Sequence, residues 1–278
     1  MTPRTEVEPR SKGLLTPSRV APAATAPPVA IARRAADGRS ALFVRHYWLP
    51  RWQLADGATV RQDVLEYPTA NFVVEERSAA LYRAGRGRGS RTLEGSGWAL
   101  GVLLRPGVSR AWAGASMRSV PPVLPLDRLT VREGAAGMVA SVRDRMADDD
   151  DSGAIAAFEA WLDRLPEPDD DARLVDRIVA AVEEDRELLR VEQLADRFGL
   201  GVRHLQRLVA GHIGFGPKWL IQRYRLQEAA AALRSSEPPA LADLAAELGY
   251  ADQAHFSRDF TSVVGSTPGA YAAAEGRG

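Results

Sequence analysis

The chain has 278 residues and equal numbers of basic and acidic side chains, so its formal net charge is zero. This length allows two domains of ordinary size, and any nucleic-acid contact must rest on a local concentration of positive charge. The absence of cysteine excludes disulfides, thiolate zinc sites and cysteine nucleophiles, and it is typical of a reducing cytoplasm. No apolar run approaches the roughly 18 residues of a membrane span, so we expect a cytoplasmic protein without membrane contact.

The N-terminal segment 1–39 is rich in Pro, Ala, Ser, Thr and Arg and has little hydrophobic periodicity, which predicts a disordered tail or an extended arm. Between residues 40 and 128, short apolar segments such as "ALFVRHYWL" and "GWALGVLLRPG" alternate with turn residues. This pattern is typical of short antiparallel strands in a small barrel or sandwich. We interpret the "GRGRG" segment at 85–89 as a hairpin turn, because a phosphate-binding loop would also need a following helix and a Lys-Ser/Thr pair.

The hydrophobic period becomes helical between residues 129 and 171, which predicts two amphipathic connector helices. We predict that the apolar face of the second helix mediates dimerisation. The residues on that face are Ile155, Phe158, Trp161 and Leu162. The segment "PEPDDD" at 166–171 is typical of a linker and indicates a domain boundary.

Two stretches of the C-terminal part repeat each other at a spacing of about fifty residues. The first, "LADRFGLGVRHLQRLVAGHIGFGP", starts at Leu194, and the second, "LAAELGYADQAHFSRDFTSVVGSTP", starts at Leu244. With one inserted residue after the shared glycine, Arg207 lies opposite Arg258. Each copy predicts a short helix, a left-handed glycine that ends it, a tight turn, and a second helix with a polar outer face. This is the helix-turn-helix arrangement.

The polar outer faces carry residue types that suit the major groove of DNA. Arginine bonds guanine in a bidentate way and glutamine reads adenine, while arginine and histidine also hold phosphates. The candidate DNA contacts are Arg203, Gln206, Arg207, Gln253, Ala254, His255 and Arg258. Taken singly, such arginines are more often solvated surface residues, and His204 and His255 could equally be buried partners in helix packing.

The segment from 217 to 234 joins the two units. It has a proline at its first position, strong helix formers and no glycine, which predicts one stiff helix. About 17 residues give a rod of roughly 25 Å. Such a spacer suits two recognition helices set near one DNA turn, roughly 34 Å, apart.

These motifs resemble the AraC/XylS family of bacterial transcription regulators over about residues 172–273. The resemblance implies a double helix-turn-helix domain, DNA contacts from the seven residues named above, and a structural role for Arg225. The sequence departs from the family pattern at Thr261 and Ser262, where lysines are common, and at Ala272, where arginine is common. Residues 40–165 resemble less strongly the family's sensor part, a small β-barrel that commonly holds an effector, followed by helices that dimerise.

The sensor region offers candidate effector contacts but no metal site. Its tryptophans would line an apolar pocket or form ordinary core, and Arg105 would meet an anionic ligand or form a structural salt bridge. The candidate effector contacts are Trp48, Trp52, Trp98, Arg105 and Trp112. His46 is the one histidine of this region, whereas a cupin-type metal site needs several, so we expect no metal and no cofactor.

The predicted fold is therefore α+β. It has a small antiparallel β-barrel or cupin-like domain at 40–128, connector helices at 129–171, and an all-α domain of two helix-turn-helix units at 172–278. The predicted function is sequence-specific regulation of transcription, controlled by an effector or by dimerisation. The candidate partners are double-stranded DNA, a small-molecule effector, RNA polymerase and a second copy of the chain.

Two other functions stay open at the level of sequence. One is a protein-interaction or ligand-binding module whose helix-turn-helix units have lost DNA binding. The other is a barrel enzyme fused to a DNA-binding domain. We expect no enzyme, because alkyl-transfer repair proteins of that design need a reactive cysteine and no catalytic residues stand out.

Overall fold

A computed structural model describes residues 29–64, 67–87, 89–235 and 237–275. Residues 29–162 form an N-terminal domain of eight strands and three helices, and residues 170–275 contribute seven further helices. The strands are β1 (Val29–Ala35), β2 (Val44–Gln53), β3 (Thr59–Val64), β4 (Asn71–Glu75), β5 (Ala79–Tyr82), β6 (Gly89–Glu94), β7 (Ser96–Leu104) and β8 (Val123–Pro125). The helices are α1 (Ser109–Ala113), α2 (Ala135–Ala147), α3 (Asp151–Leu162), α4 (Asp170–Glu184), α5 (Val191–Arg197), α6 (Val202–Ile213), α7 (Pro217–Ala232), α8 (Leu241–Glu247), α9 (Gln253–Val264) and α10 (Pro268–Glu275).

The predicted division into an N-terminal antiparallel sheet domain and a C-terminal helical domain is confirmed. The N-terminal strands form a six-stranded sheet in the order β1-β2-β7-β4-β5-β8, and β3 pairs with β6 in a separate two-stranded sheet. All of these pairings are antiparallel. Among the described residues β1 and β8 are the two edges of the large sheet, so it is open rather than a closed barrel.

The disordered tail predicted for 1–39 is wrong for its last eleven residues. Residues 1–28 lie outside the described part of the chain, but Val29–Ala35 forms the edge strand β1, and a 3-10 turn covers Gly38–Leu42. β1 pairs with β2 from Val29 opposite Trp52 to Ala35 opposite His46. The segment carries two arginines and no clean alternation, because an edge strand that is only half-buried needs neither.

Helices α2 and α3 are part of the N-terminal core, not connectors. One hydrophobic cluster runs from Phe43 to Leu162 and joins one face of the sheet to α1, α2 and α3. Within it the rings of Phe72 and Trp112 lie 5.9 Å apart, and those of Trp112 and Trp161 lie 5.3 Å apart in an edge-to-face arrangement. The hydroxyl of Tyr47 donates to Glu159 on α3 at 3.0 Å.

The predicted dimerisation face is consequently wrong. Each of its four residues is at most 3% exposed inside this intramolecular core. These residues are Ile155, Phe158, Trp161 and Leu162. The helical period correctly indicated an apolar face, but that face packs on the sheet of the same chain and is not available to a second copy.

The four tryptophans proposed for an effector pocket do not come together. Trp48 lies over Gly101, where a Cβ would come within 1.9 Å of the ring, and its Nε1 donates to Asn71. Trp52 lies in the same way over Gly97. Trp98 and Trp112 instead pack against the hydrophobic cluster on the helix-covered face. The side chains are therefore divided between two faces of the sheet, and the predicted single pocket is wrong.

Arg105, the fifth candidate effector contact, has a structural role. Its Nε donates to the backbone oxygen of Ala41 at 2.6 Å. His46 is half-buried with its ring near Tyr67. Burial, followed by the charges of Arg33 and Arg45, lowers the pKa of His46 to about 4, which keeps the imidazole neutral at physiological pH.

The C-terminal helices have two hydrophobic clusters that meet along α7. The first joins α4, α5, α6 and the beginning of α7 up to Tyr224, and the second joins the end of α7, from Leu226, to α8, α9 and α10. Within the described residues no helix is both long and apolar enough to cross a bilayer.

Candidate nucleic-acid interface

The first repeat folds as a helix-turn-helix unit. Helix α5 ends at Arg197, and Gly199 has a left-handed φ of 62°, a backbone conformation that glycine adopts without strain. Helix α6 then begins at Val202. Leu194 and Leu205 are buried between the two helices and fix their mutual angle.

The outer face of α6 presents the predicted residues to solvent. Arg203, His204, Gln206 and Arg207 are all exposed, so the alternative interpretation of His204 as a buried packing residue is wrong. Arg207 Nη2 lies 3.3 Å from Nδ1 of His204. Arg203 and Gln206 have no side-chain hydrogen bond or ion pair within the described ranges, which leaves their donors available to a ligand.

The second repeat folds in the same way. Gly249 has a left-handed φ of 75° after α8, and α9 begins at Gln253. Asp252 caps this helix, because its carboxylate accepts a 2.7 Å hydrogen bond from the backbone N–H of His255. Phe256 and Phe260 are fully buried below the helix.

The outer face of α9 is also exposed. This applies to Gln253, Ala254, His255 and Arg258. His255 Nε2 lies 3.6 Å from a carboxylate oxygen of Asp259, so this histidine is not a buried packing residue either. The side chain of Arg258 has no hydrogen bond or ion pair with another described residue. The second unit therefore presents one unpaired arginine, at the position that corresponds to Arg207 in the first unit.

Helix α7 is the predicted single connecting helix. Its 16 residues correspond to about 24 Å. Arg225 is 1% exposed in its middle. One Arg225 nitrogen donates to Glu228 at 2.6 Å, and another donates to the backbone oxygens of Asp185 and Val182. These hydrogen bonds join α7 to the end of α4 and confirm the structural role implied for Arg225.

An open cleft separates the two units on one side of α7. Its lining includes Lys218 and Gln222 of α7, Gly249 and Tyr250 of the second turn, and His255 of α9. Burial, reinforced by Asp259, raises the pKa of Tyr250, so its hydroxyl stays protonated. The exposed Lys218 lies between the two recognition helices, a position that the sequence alone did not single out.

The N-terminal domain packs directly on the first unit. The backbone N–H of Met117 donates to the oxygen of Gly211 in α6 at 2.8 Å. Arg45 of β2 forms a 2.7 Å ion pair with Glu183 of α4 and lies 3.4 Å from the hydroxyl of Tyr224. These contacts join the sheet domain to α4, α6 and α7.

A second group of contacts fixes the point where the chain passes between the domains. The N–H of Gly107 donates to the carboxylate of Asp176 at 2.9 Å. Burial raises the pKa of Asp176, and the Gly107 hydrogen bond and nearby Arg105 oppose that shift. A Cβ on Gly107 would lie 2.1 Å from the backbone oxygen of Ala172, so only glycine allows this close approach.

The "GRGRG" segment is not the hairpin turn that the sequence predicted. It connects β5 to β6, which belong to different sheets and do not pair with each other. Arg83 and Arg86 in this β5–β6 loop lie over the ring of Phe215, at 5.6 and 5.2 Å from its centre. The loop reaches the helical domain, where Arg223 donates to the oxygen of Gly87 at 3.2 Å.

Comparison with protein-family models gives two matches. A family described as a helix-turn-helix domain matches residues 194–274, and a domain of unknown function, DUF6597, matches residues 41–120. The first match covers both repeats. The second covers most of the strands of the N-terminal domain.

Curated relatives match about a third of the chain. The chain is 36% identical over 98 residues to the HTH-type transcriptional activator RhaS of Escherichia fergusonii, covering 35% of each protein. It is 32% identical over 101 residues to an uncharacterized HTH-type transcriptional regulator of Haemophilus influenzae, covering 36% of the chain and 34% of that protein. The chain thus spans about a third of the length of the curated relatives it matches.

Solved structures show weaker likeness. The C-terminal domain of AraT, a response regulator from Geobacillus stearothermophilus, is 24% identical with a TM-score of 0.33, covering 36% of this chain and 84% of that one. ToxT from Vibrio cholerae O395 is 12% identical with a TM-score of 0.38, covering 88% and 96%. At these scores neither likeness bears on ligands or mechanism.

Proposed function

We propose that this chain, whose residues 194–274 form a helix-turn-helix domain of the AraC/XylS type, regulates transcription by binding specific DNA sequences. The observation that carries the proposal is the pair of matching helices α6 and α9, whose outer faces are exposed and polar. Exposed arginine and glutamine side chains at such positions read guanine and adenine in the major groove. The free donors of Arg203, Gln206 and Arg258 support this role.

The proposal assigns the side chains to three kinds of DNA contact: base reading, phosphate binding and apolar contact. Gln206 and Arg207 of α6, with Gln253 and Arg258 of α9, are the proposed base-reading side chains. Arg203 and His255 are the proposed phosphate contacts, a role that suits both residue types. Ala254 offers an apolar contact of the kind that favours a thymine methyl group.

The N-terminal domain is the proposed control element. Because it bonds directly to α6 through Met117 and to α4 and α7 through Arg45, a ligand or partner that prefers one arrangement of the domains would shift DNA affinity by its differential binding. RNA polymerase and a small-molecule effector stay expected partners of such a regulator. A second copy of the chain would have to use a surface other than the buried face of α3.

Selection of genomic DNA fragments by the purified full chain tests the proposal. We expect the wild type to enrich a few fragments and the double variant Arg207→Ala/Arg258→Ala to lose them, since each base-reading arginine contributes about 1–3 kcal/mol of specific binding. Arg128→Ala/Arg132→Ala is the matched control, because it removes two exposed arginines of the N-terminal domain. Equal enrichment by both double variants would contradict the assignment of α6 and α9.

The same experiment addresses the other two functions. A module that has lost DNA binding would enrich no fragment and would show no salt-dependent association with duplex DNA. The names of the relatives describe transcription regulators, which disfavours a fused enzyme. We expect no catalytic activity. The expected cytoplasmic location follows from a role on bacterial DNA.

A further inference from the structure

A basic cleft lies where the N-terminal domain meets the first helix-turn-helix unit. Its cations come from three separate parts of the chain: Arg83 and Arg86 in the β5–β6 loop, Arg118 after α1, and Lys218 at the start of α7. No acidic side chain is among the described residues that line it. The four cations have no ion pair with any carboxylate in the part of the chain that the structure describes.

The two loop arginines are held in place without the use of their hydrogen-bond donors. Both guanidinium groups lie over Phe215, which itself stacks on Trp219 at 4.1 Å. Stacking on an aromatic face orients a guanidinium and leaves its N–H groups free for an anion. Nε of Arg83 has no hydrogen-bond partner among the described residues, so no acceptor in that part of the chain holds this guanidinium in place of the stacking.

The cleft is continuous with the candidate DNA interface. Gln206, on the exposed face of α6, is part of its lining. Lys218 lines both this cleft and the one between the two units that reaches His255. The positive side chains therefore flank α6 and continue along α7 toward α9. An extended polyanion fits such a track better than a compact ligand would.

We infer that the N-terminal domain contacts DNA itself, and that Arg83, Arg86 and Arg118 bind backbone phosphates beside the groove that α6 enters. This inference rests on the proposed function. The guanidinium forks supply paired donors to phosphate oxygens, and Lys218 adds a point charge at the beginning of α7. The overall charge of the chain is zero, so sequence-independent affinity for DNA has to come from local groups of positive charge such as this one.

The experiment measures how the affinity of the full chain for DNA depends on salt. The two probes are an enriched genomic fragment and an unrelated duplex of equal length. Fluorescence anisotropy of each labelled duplex measures the binding. Each phosphate contact contributes about −0.9 to the slope of log K against log salt concentration. We expect Arg83→Ala/Arg86→Ala/Arg118→Ala to make that slope less negative by about 2.7 for both duplexes, with the preference between them unchanged.

A matched control removes the same charge elsewhere on the same domain. Arg77→Ala/Arg128→Ala/Arg132→Ala deletes three exposed arginines that do not line the cleft, and its slope should equal that of the wild type. The variant Arg86→Gln/Arg118→Gln leaves the half-buried Arg83 in place and should make the slope less negative by about 1.8. It tests the inference even if the triple variant folds poorly.

The outcomes separate the inference from the proposed function. Wild-type protein that binds neither duplex would overturn both. Wild-type protein that binds DNA, with the cleft variant showing the control's slope, would overturn only the inference. Thermal stabilisation of the wild type by inorganic phosphate, lost in the cleft variant while the DNA slope stays unchanged, would also overturn it and would mark the cleft as a small-anion site.

Discussion

The two helix-turn-helix units have one design but different sources of stability. The first packs on α4 through a shared cluster of aliphatic residues and accepts a hydrogen bond from Met117 of the N-terminal domain at Gly211. The second has no equivalent of α4 among the described residues. It relies on an aromatic core, in which Phe256 lies between Tyr250 and Phe260 at ring distances of 5.5 and 5.6 Å.

The difference extends to the start of each recognition helix. Asp252 caps α9 with its side chain, whereas Gly201 precedes α6 and offers no side-chain cap. The unit that is held by its neighbours thus tolerates a weaker start to its recognition helix. The second unit has a side-chain cap and an aromatic cluster of its own. A repeated motif therefore specifies the same backbone arrangement while its stability comes from different contacts.

The largest expected effect comes from Phe256→Ala, which removes a fully buried ring at a cost of about 3–5 kcal/mol. Because the second unit has its own cluster, we expect the loss to be local. Hydrogen exchange followed by mass spectrometry should show lost protection in α8, α9 and α10 with α5 and α6 unchanged.

Leu205→Ala is the counterpart in the first unit, at a cost of about 2–5 kcal/mol. Leu205 is equally buried, but its cluster includes α4 and the beginning of α7. We expect the increase in amide hydrogen exchange caused by Leu205→Ala to extend into α4. Equal loss of protection in both units by either variant would show that the two clusters are one cooperative unit, contrary to the comparison.

A medium effect is expected where the N-terminal domain meets the first unit. The Cβ of Gly107→Ala would collide with the backbone of Ala172, and relief of such overpacking costs about 1–3 kcal/mol. Exchange should increase in α4 and α6 but not in α8 and α9. Gly137→Ala is the control, because no atom lies within 4 Å of its Cβ position and alanine favours the helix. Equal increases in hydrogen exchange in both units would contradict the conclusion that the N-terminal domain stabilises the first unit and not the second.

The sequence predicted the helical domain well because its signals are local. The left-handed glycines Gly199 and Gly249 lie in the turns, and the exposed faces of α6 and α9 carry the residues expected there. A helix period and a glycine require no knowledge of distant partners. The helical period in the same way predicted that Trp161 belongs to an apolar face. It did not predict that this face packs on the sheet of its own chain.

Features that depend on distant pairing escaped prediction. Trp48 and Trp52 are four positions apart in β2 and so lie on one face of the sheet, but the face of Trp98 depends on its register opposite Arg51. The edge strand β1 exists because β2 pairs with it. The basic cleft is a similar case, because Arg86, Arg118 and Lys218 meet only after both domains have folded.

The smallest expected effect distinguishes the starts of the two recognition helices. Asp252→Ala removes the bond to the His255 N–H and should cost about 1 kcal/mol, whereas Asp252→Gly should cost only a few tenths. The glycine variant gives α9 the same type of cap residue that α6 has at Gly201, in a similarly extended backbone. Urea unfolding and exchange of the His255 amide measure both changes. If Asp252→Gly lowered stability as much as Asp252→Ala, the second unit would depend on its carboxylate cap in a way that the first does not, and the contrast between the units would sharpen. If neither variant changed stability, the aromatic core alone would hold α9 in place.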